Sequence, residues 1–169
     1  MANGNTPAVY VGTYAKYNDG SLFGKWMHPG EYDSLDDFYA ACKDLHKDER
    51  DPEFMFQDCE NIPHKLYSEY GVSEDLFTFC KTVEGMSDET AEAYATYCDI
   101  FDDVDEDEFY SKFCGEEMSD EDYGYYLVEE CGLLEGVPED VARYFDYKKY
   151  GRDCKYDLTI QDGFMFYNC

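Results

Sequence analysis

The feature that most constrains this chain is the combination of a large negative charge with a high aromatic content. Its 169 residues include 40 Asp and Glu against 13 Lys and Arg, a formal net charge of −27 at pH 7. Acidic chains with few aromatic residues cannot bury enough apolar surface to fold. Here 18 Tyr and 12 Phe provide large side chains for a core. We therefore predict a folded protein with an anionic surface, and its standing self-repulsion indicates a positively charged partner.

The acidic residues are spread over the whole chain. Residues 1–60 hold 12 acidic and 5 basic residues, 61–115 hold 14 and 3, and 116–169 hold 14 and 5. A nucleic-acid binder needs the opposite sign to neutralise phosphates, so the charge argues against direct DNA or RNA binding. The N-terminus has no signal-peptide pattern, and no run approaches the roughly 18 apolar residues of a membrane span. We expect a cytoplasmic protein with no membrane contact.

Cysteine spacing indicates free thiols rather than a disulfide framework. The eight cysteines are widely spaced and form no Cys-x-x-Cys pair, unlike the dense frameworks of small secreted domains. Cys42, Cys80, Cys98 and Cys131 fall in step with apolar neighbours at helical spacing. We predict that most of the cysteines are reduced and buried.

Local patterns predict a small α+β unit over residues 1–60. Strand formers over 8–14, a glycine-containing turn and a return over 21–26 indicate a β-hairpin. Ser34 is placed to cap an amphipathic helix, and residues 53–58 are typical of another strand.

The middle of the chain, 61–115, is predicted to be helical. Ser73 and Ser87 are placed to cap two helices. A third helix is expected to begin at Asp105 and to continue through Cys114, with acidic residues in its first turn.

The C-terminal third, 116–169, is predicted to be a second α+β unit. A helix begins at Ser119 and ends at Gly132, a short helix follows Pro138, and 157–167 is a β-hairpin. Together the patterns predict an α+β fold with small antiparallel sheets at both ends and a helical middle.

No catalytic, cofactor-binding or metal-binding residues are assigned, and we expect a binding protein rather than an enzyme. Asp103, Asp105 and Asp107 begin like a calcium loop, but the sixth position is not Gly and the twelfth is not Glu. Segment 20–25 is one residue too short for a phosphate-binding loop. The three histidines have no paired metal spacing; they are His28, His46 and His64.

The segment 144–153 differs from the rest because it carries both aromatic and basic residues. Two interpretations stay open for it: core packing with local ion pairs, or a contact surface, since Tyr and Arg are enriched at interfaces.

The chain resembles the ArdA family of antirestriction proteins, which are carried by bacterial mobile genetic elements. At the C-terminal end the matching residues are Glu129-Glu130, Gly132, Leu134, Glu135, Val137-Pro138-Glu139, Tyr144-Phe145-Asp146-Tyr147 and Tyr150-Gly151-Arg152-Asp153. At the N-terminal end they are Val9-Tyr10-Val11, Lys16-Tyr17-Asn18-Asp19-Gly20, Leu22, Gly24 and Trp26.

This resemblance implies a mimic of B-form DNA that occupies the DNA-binding site of type I restriction-modification enzymes. It also implies an elongated, multi-part chain that forms a homodimer through its C-terminal third. With the local patterns, we predict three small units in series. The acidic residues expected to form the DNA-mimic surface are Asp75, Glu84, Asp88, Glu89, Glu92, Asp99, Asp102, Asp103, Asp105, Glu106, Asp107, Glu108, Glu116, Glu117, Asp120, Glu121 and Asp122. The candidates for the dimer contact are Tyr144, Tyr147, Lys148, Tyr150 and Arg152.

Two other functions share the same electrostatics. An acidic chaperone or sequestering protein for nucleoid-type partners would bind many basic proteins without preference for restriction enzymes. A cation-binding or salt-adapted protein would fold in a strongly salt-dependent way and have no specific partner.

Overall fold

The computed structural model describes residues 5–168 and shows an α+β protein, as predicted. Over these residues it contains eight α-helices and three small antiparallel sheets, with the three-stranded sheets formed by segments near the two ends of the sequence. The described chain forms two compact units, 5–109 and 110–168. The finer division into three units remains a prediction.

The helices and strands are short. The helices are α1 (Tyr14–Asn18), α2 (Leu35–Leu45), α3 (Asp75–Glu84), α4 (Asp88–Phe101), α5 (Glu106–Lys112), α6 (Asp120–Cys131), α7 (Glu139–Ala142) and α8 (Tyr147–Cys154). The strands are β1 (Ala8–Thr13), β2 (Lys25–Met27), β3 (Phe54–Glu60), β4 (Tyr67–Ser68), β5 (Gly71–Val72), β6 (Phe113–Glu116), β7 (Leu158–Gln161) and β8 (Phe164–Tyr167).

The first unit is built around a sheet in which β1 lies between β2 and β3. Helix α2 begins where predicted, because the Ser34 hydroxyl accepts a hydrogen bond from the Asp37 amide. Its buried Phe38 ring lies 6.3 Å from that of Phe56 in β3 and 6.0 Å from that of Phe77 in α3. This aromatic contact joins the sheet to the helices that follow it.

The antiparallel pairing predicted for the first two strands is confirmed. The connection differs from the prediction because it contains α1, and the second strand is β2 rather than 21–26. The chain forms α1 directly after β1, with the Thr13 hydroxyl accepting from the Lys16 amide. The Lys16 ammonium pairs with Asp48 at 2.8 Å and Glu49 at 3.1 Å. These partners lie about 30 residues away, so the local turn pattern did not reveal them.

The second unit begins with a further correction. Phe113 and Cys114, predicted to continue a helix, lie in β6, which pairs with β8. Gly115 has φ +111°, which a helix does not allow. The Phe113 and Phe166 rings are 5.6 Å apart, so pairing with the end of the chain decides the strand.

Helix α6 and the last hairpin are confirmed. The Ser119 hydroxyl accepts from the Asp122 amide, and the helix ends at Gly132 in the left-handed conformation, φ 60°. Strands β7 and β8 are joined through Asp162 and Gly163, with φ of 52° and 80°. Two successive positive φ values are typical of a tight hairpin turn of type I′.

Helix α8 was not predicted. Asp146 caps it by accepting from the Lys149 amide at 3.0 Å, and it packs closely on α6. Gly124 of α6 and the buried Gly151 of α8 face each other, and a Cβ atom on either would overlap the backbone of the other helix.

The seven cysteines among the described residues are free thiols, as predicted. Cys42, Cys80 and Cys98 are buried, and burial raises the pKa of each thiol to about 12. Cys131 is exposed, so its predicted place in the core is wrong, and Cys59, Cys114 and Cys154 are only half-buried. The prediction that most of the cysteines are buried is therefore wrong for the described residues. Cys169 lies outside the described residues.

Candidate functional site

Most of the acidic residues predicted to form the DNA-mimic surface have exposed side chains. Of the seventeen, fourteen are exposed and three are half-buried. The exposed ones in the first unit are Asp75, Glu84, Asp88, Glu89, Glu92, Asp102, Asp105, Glu106, Asp107 and Glu108. Those in the second unit are Glu116, Glu117, Glu121 and Asp122.

Many of these carboxylates stand in the first turns of helices. Helices α4, α5 and α6 each begin with two or three consecutive acidic residues. The N-terminus of a helix carries a partial positive charge, and a carboxylate there contributes about 0.3 to 1 kcal/mol at an exposed site. The helices therefore offset part of the repulsion that such dense acidic runs create.

Two of the three half-buried acids are held by single partners. The Asp99 carboxylate accepts a hydrogen bond from the Lys65 amide at 3.1 Å. The Asp120 carboxylate lies 3.0 Å from the Lys155 ammonium. These two acids serve the fold as well as the charge of the surface.

The third, Asp103, belongs to a hydrogen-bonded turn between α4 and α5. One carboxylate oxygen accepts from the hydroxyl of buried Tyr97 at 2.7 Å, and the other accepts from the Asp105 amide at 3.2 Å. Burial and the nearby Asp103 carboxylate raise the pKa of Tyr97, so its phenol stays protonated as the donor. Asp105 in turn accepts from the Glu108 amide at 3.0 Å and caps α5.

The candidates for the dimer contact divide into two groups. Tyr144 is 81% exposed, and Lys148 and Arg152 are exposed as well. The Arg152 guanidinium lies 3.3 Å from the Asp153 carboxylate. These three side chains are available to a partner, as a contact surface requires.

The other two candidates pack within the second unit. The half-buried Tyr147 ring lies 4.9 Å from Tyr125 and 5.1 Å from Phe145. The half-buried Tyr150 ring lies 5.5 Å from Phe145. The core-packing interpretation therefore holds for Tyr147 and Tyr150, and the contact surface remains a prediction.

Two exposed apolar residues of the second unit were missed. Val141 is 60% exposed and its carbonyl accepts from the Tyr144 amide, so the two lie in one turn. Leu133, just after α6, is 47% exposed. Apolar residues in or next to a helix usually pack against a core, and no local signal in the sequence distinguishes them from apolar residues left in solvent.

One of the histidines considered for metal binding, His46, has contacts within the fold instead. Across 5–168 no group of three or more His, Cys, Asp and Glu side chains is arranged to hold a metal ion. His46 is buried, with one ring nitrogen 3.1 Å from the Val11 carbonyl and the other 3.0 Å from the Lys16 ammonium. Within the described chain, none of the helices is both long and apolar enough to cross a membrane.

Comparison with protein families matches residues 9–166 to the family described as antirestriction protein, ArdA. The match includes the middle of the chain, where no family motif was identified in the sequence. No curated protein and no solved structure matches the chain significantly.

Proposed function

The chain belongs to the ArdA family of antirestriction proteins, and we propose that it acts by occupying the DNA-binding groove of a type I restriction-modification enzyme. Its Asp and Glu side chains would take the place of DNA phosphates and meet the Lys and Arg residues of that groove. The observation that carries this proposal is the exposure of fourteen of the seventeen acids over α3 to α6 and their connections. The protein would act as a stoichiometric competitor, without catalysis.

The number of charges suits a long DNA segment. Duplex DNA carries one charge per about 1.7 Å of axis, so 27 charges at that density cover on the order of 46 Å. A homodimer would cover roughly twice that length. Because charged contacts of this kind are many and individually weak, the proposal needs no single dominant residue.

The dimer is part of the proposal. Two chains of net charge −27 repel each other, so we propose that they meet where exposed bases and aromatics gather, around Tyr144, Lys148 and Arg152. The exposed apolar side chain of Val141, in one turn with Tyr144, would extend this contact.

A competition assay tests the function. A purified type I enzyme is bound to a fluorescently labelled duplex that carries its recognition sequence, and this protein is titrated against the complex. We expect the anisotropy to fall to the value of free DNA, with the half-inhibition concentration rising steeply with salt, since screening acts over about 8 Å at physiological ionic strength.

A parallel titration separates the proposal from the sequestering function. Complexes of the same duplex with a small basic nucleoid-type protein should resist displacement at concentrations that free the DNA from the enzyme. Equal displacement of both would favour the acidic chaperone. Unchanged enzyme–DNA binding at large molar excess would overturn the proposal.

A further inference from the structure

Two buried tyrosines of α4 hold the turn between α4 and α5, residues 102–105, by hydrogen bonds. Tyr94 and Tyr97 both have fully buried side chains. The Tyr94 hydroxyl donates to the Val104 carbonyl at 2.6 Å, and the Tyr97 hydroxyl donates to the Asp103 carboxylate at 2.7 Å. Two adjacent residues of the turn are thus held by side chains that come from α4.

The rings of both tyrosines are themselves held in place. Tyr94 stacks on Phe79 with 5.3 Å between ring centroids and meets Phe109 edge-on at 5.3 Å. Tyr97 lies 5.1 Å from Phe101 and 5.6 Å from Phe109. Because packed aromatic rings do not reorient easily, each hydroxyl keeps the position from which it donates its hydrogen bond.

The same turn sets where α5 begins. Asp102, with φ 54°, donates its amide to the Cys98 carbonyl and ends α4. Asp103 accepts from the Asp105 amide, and Asp105 caps α5. Both carboxylate oxygens of Asp103 therefore accept hydrogen bonds, one from Tyr97 of α4 and one from the Asp105 amide, while the neighbouring Asp102 side chain is exposed.

We propose that Tyr94 and Tyr97 are positioning residues that hold the acidic segment 102–108 in the arrangement that binds the enzyme. This inference rests on the proposed function. A preordered array of carboxylates binds a basic groove without the entropy loss of ordering a mobile loop. It follows that Asp103 acts through the fold of the turn, whereas Asp102 acts only through its charge.

Removing the hydroxyls tests the proposal without opening the core. Tyr94→Phe, Tyr97→Phe and the double variant keep the rings, and Tyr67→Phe is the control because its hydroxyl donates to Phe56 in the same unit but away from the turn. In the double variant we expect faster hydrogen exchange confined to 102–108. We also expect a half-inhibition concentration about 3- to 10-fold higher, against less than about 2-fold for the control.

A charge-matched pair separates position from electrostatics. Asp102→Asn and Asp103→Asn each remove one negative charge, and Asn tolerates the left-handed conformation of residue 102. We expect Asp103→Asn to weaken inhibition as Tyr97→Phe does and Asp102→Asn to change it less than about 2-fold. Adding Tyr97→Phe to Asp103→Asn should have a less than additive effect, because Asn keeps a single side-chain acceptor for the two donors that Asp103 serves, the Tyr97 hydroxyl and the Asp105 amide.

The possible failures are distinguishable. If the wild-type protein does not displace DNA, the proposed function fails and the inhibitory role of the tyrosines falls with it. If exchange over 102–108 is unchanged in the double variant, the positioning role is overturned whatever the inhibition. Equal effects of Asp102→Asn and Asp103→Asn would also overturn it, because charge alone would then account for both.

Discussion

Gly124 of α6 faces Gly151 of α8 so closely that neither position has room for a side chain. A Cβ atom on Gly124 would lie 2.9 Å from the Gly151 nitrogen, and one on Gly151 would lie 2.6 Å from the Gly124 nitrogen. The Cβ atom on Gly124 would also overlap the Tyr147 carbonyl, and the one on Gly151 would overlap the Asp120 carbonyl. Because backbone atoms cannot move aside as a side chain can, any larger residue must push the helices apart. This contact holds α8, with its basic residues, against the acidic α6.

We therefore predict that Gly151→Ala strongly destabilises the second unit. Overpacking typically costs about 1 to 3 kcal/mol, and backbone clashes place this substitution at the upper end or above. Gly85→Ala is the control, because its Cβ would lie 3.9 Å from the nearest atom, the Thr82 carbonyl oxygen, and should be neutral or slightly stabilising. Urea unfolding followed by circular dichroism measures both. Equal midpoints for wild type and Gly151→Ala would contradict the prediction.

The same contact shows where prediction from sequence stops. Helices α2, α4 and α6 were predicted because a capping Ser and an apolar repeat lie within one short segment. Strand β6 and helix α1 were missed because their partners are remote in sequence: β8 for the first, Asp48 and Glu49 for the second. Helix α8 was missed although Tyr147, Tyr150 and Cys154 recur at helical spacing, because it has only eight residues and one of them is Gly151, a poor helix former.

The candidate surface was predictable to a similar degree. Its acidic residues follow from composition and from their concentration in the first turns of helices, and exposure is the normal state of such side chains. The exceptions, Asp99, Asp103 and Asp120, needed the structure because their partners Lys65, Tyr97 and Lys155 could not be identified from spacing.

The thiols should differ sharply in reactivity. The exposed Cys131 should be alkylated within minutes at pH 8, whereas Cys42, Cys80 and Cys98 should react only on unfolding, because burial excludes the reagent and raises their pKa to about 12. Iodoacetamide labelling with peptide mass spectrometry measures each site, and labelling in urea is the control. A native disulfide among these four, seen under thiol-trapping conditions, would contradict the structure.

A pH-dependent contribution is expected from Lys16 and its two acidic partners. A hydrogen bond from Lys16 lowers the pKa of the Asp48 carboxyl. Hydrogen bonds from Thr13 first, and from Lys16 second, lower the pKa of the Glu49 carboxyl. A carboxyl whose pKa is lowered by folding stabilises the fold above its ordinary value of about 4 and loses this effect as pH falls through the lower folded value.

The measurement compares Lys16→Met with the wild type. The loss of unfolding free energy caused by Lys16→Met should shrink as the pH falls below about 4. Lys47→Met, at a neighbouring exposed lysine, controls for the general loss of one positive charge from an acidic protein. A deficit that grows with acidification would give the opposite sign and refute the assignment.

Inhibition should depend on many carboxylates together. Asp105→Asn keeps the cap of α5, because Asn and Asp cap equally well, and should change the half-inhibition concentration by less than about 5-fold, since single exposed ion pairs contribute about 0 to 1 kcal/mol. Neutralising six exposed acids of the predicted surface should abolish inhibition. The six are Glu84, Glu92, Asp107, Glu116, Glu117 and Glu121.

A charge-matched set outside that surface is the control. It consists of Asp19, Asp33, Asp36, Asp44, Asp51 and Glu60, all exposed. If this set abolishes inhibition equally, net charge rather than the predicted surface decides binding. Loss of all inhibition from a single exposed substitution, with folding intact, would instead indicate a localised site.

The particle is expected to be dimeric and elongated, because carboxylates must line a rod to meet a groove built for duplex DNA. Light scattering should give twice the 19.7 kDa mass of the chain. A compact dimer of this length would have a radius of gyration of roughly 20 Å and a compact monomer roughly 15 to 16 Å, so small-angle scattering should give a value clearly above 20 Å.

Tyr144→Ala should raise the dimer dissociation constant at least about 10-fold, whereas Tyr17→Ala, at a 50% exposed tyrosine of the first unit, should not. Because both subunits are acidic, added salt should strengthen the dimer while it weakens binding to the enzyme, and this opposite dependence separates the two contacts. A compact monomer at all salt concentrations would contradict the dimer and the elongated shape together, and a dimer that survives Tyr144→Ala would place the contact elsewhere.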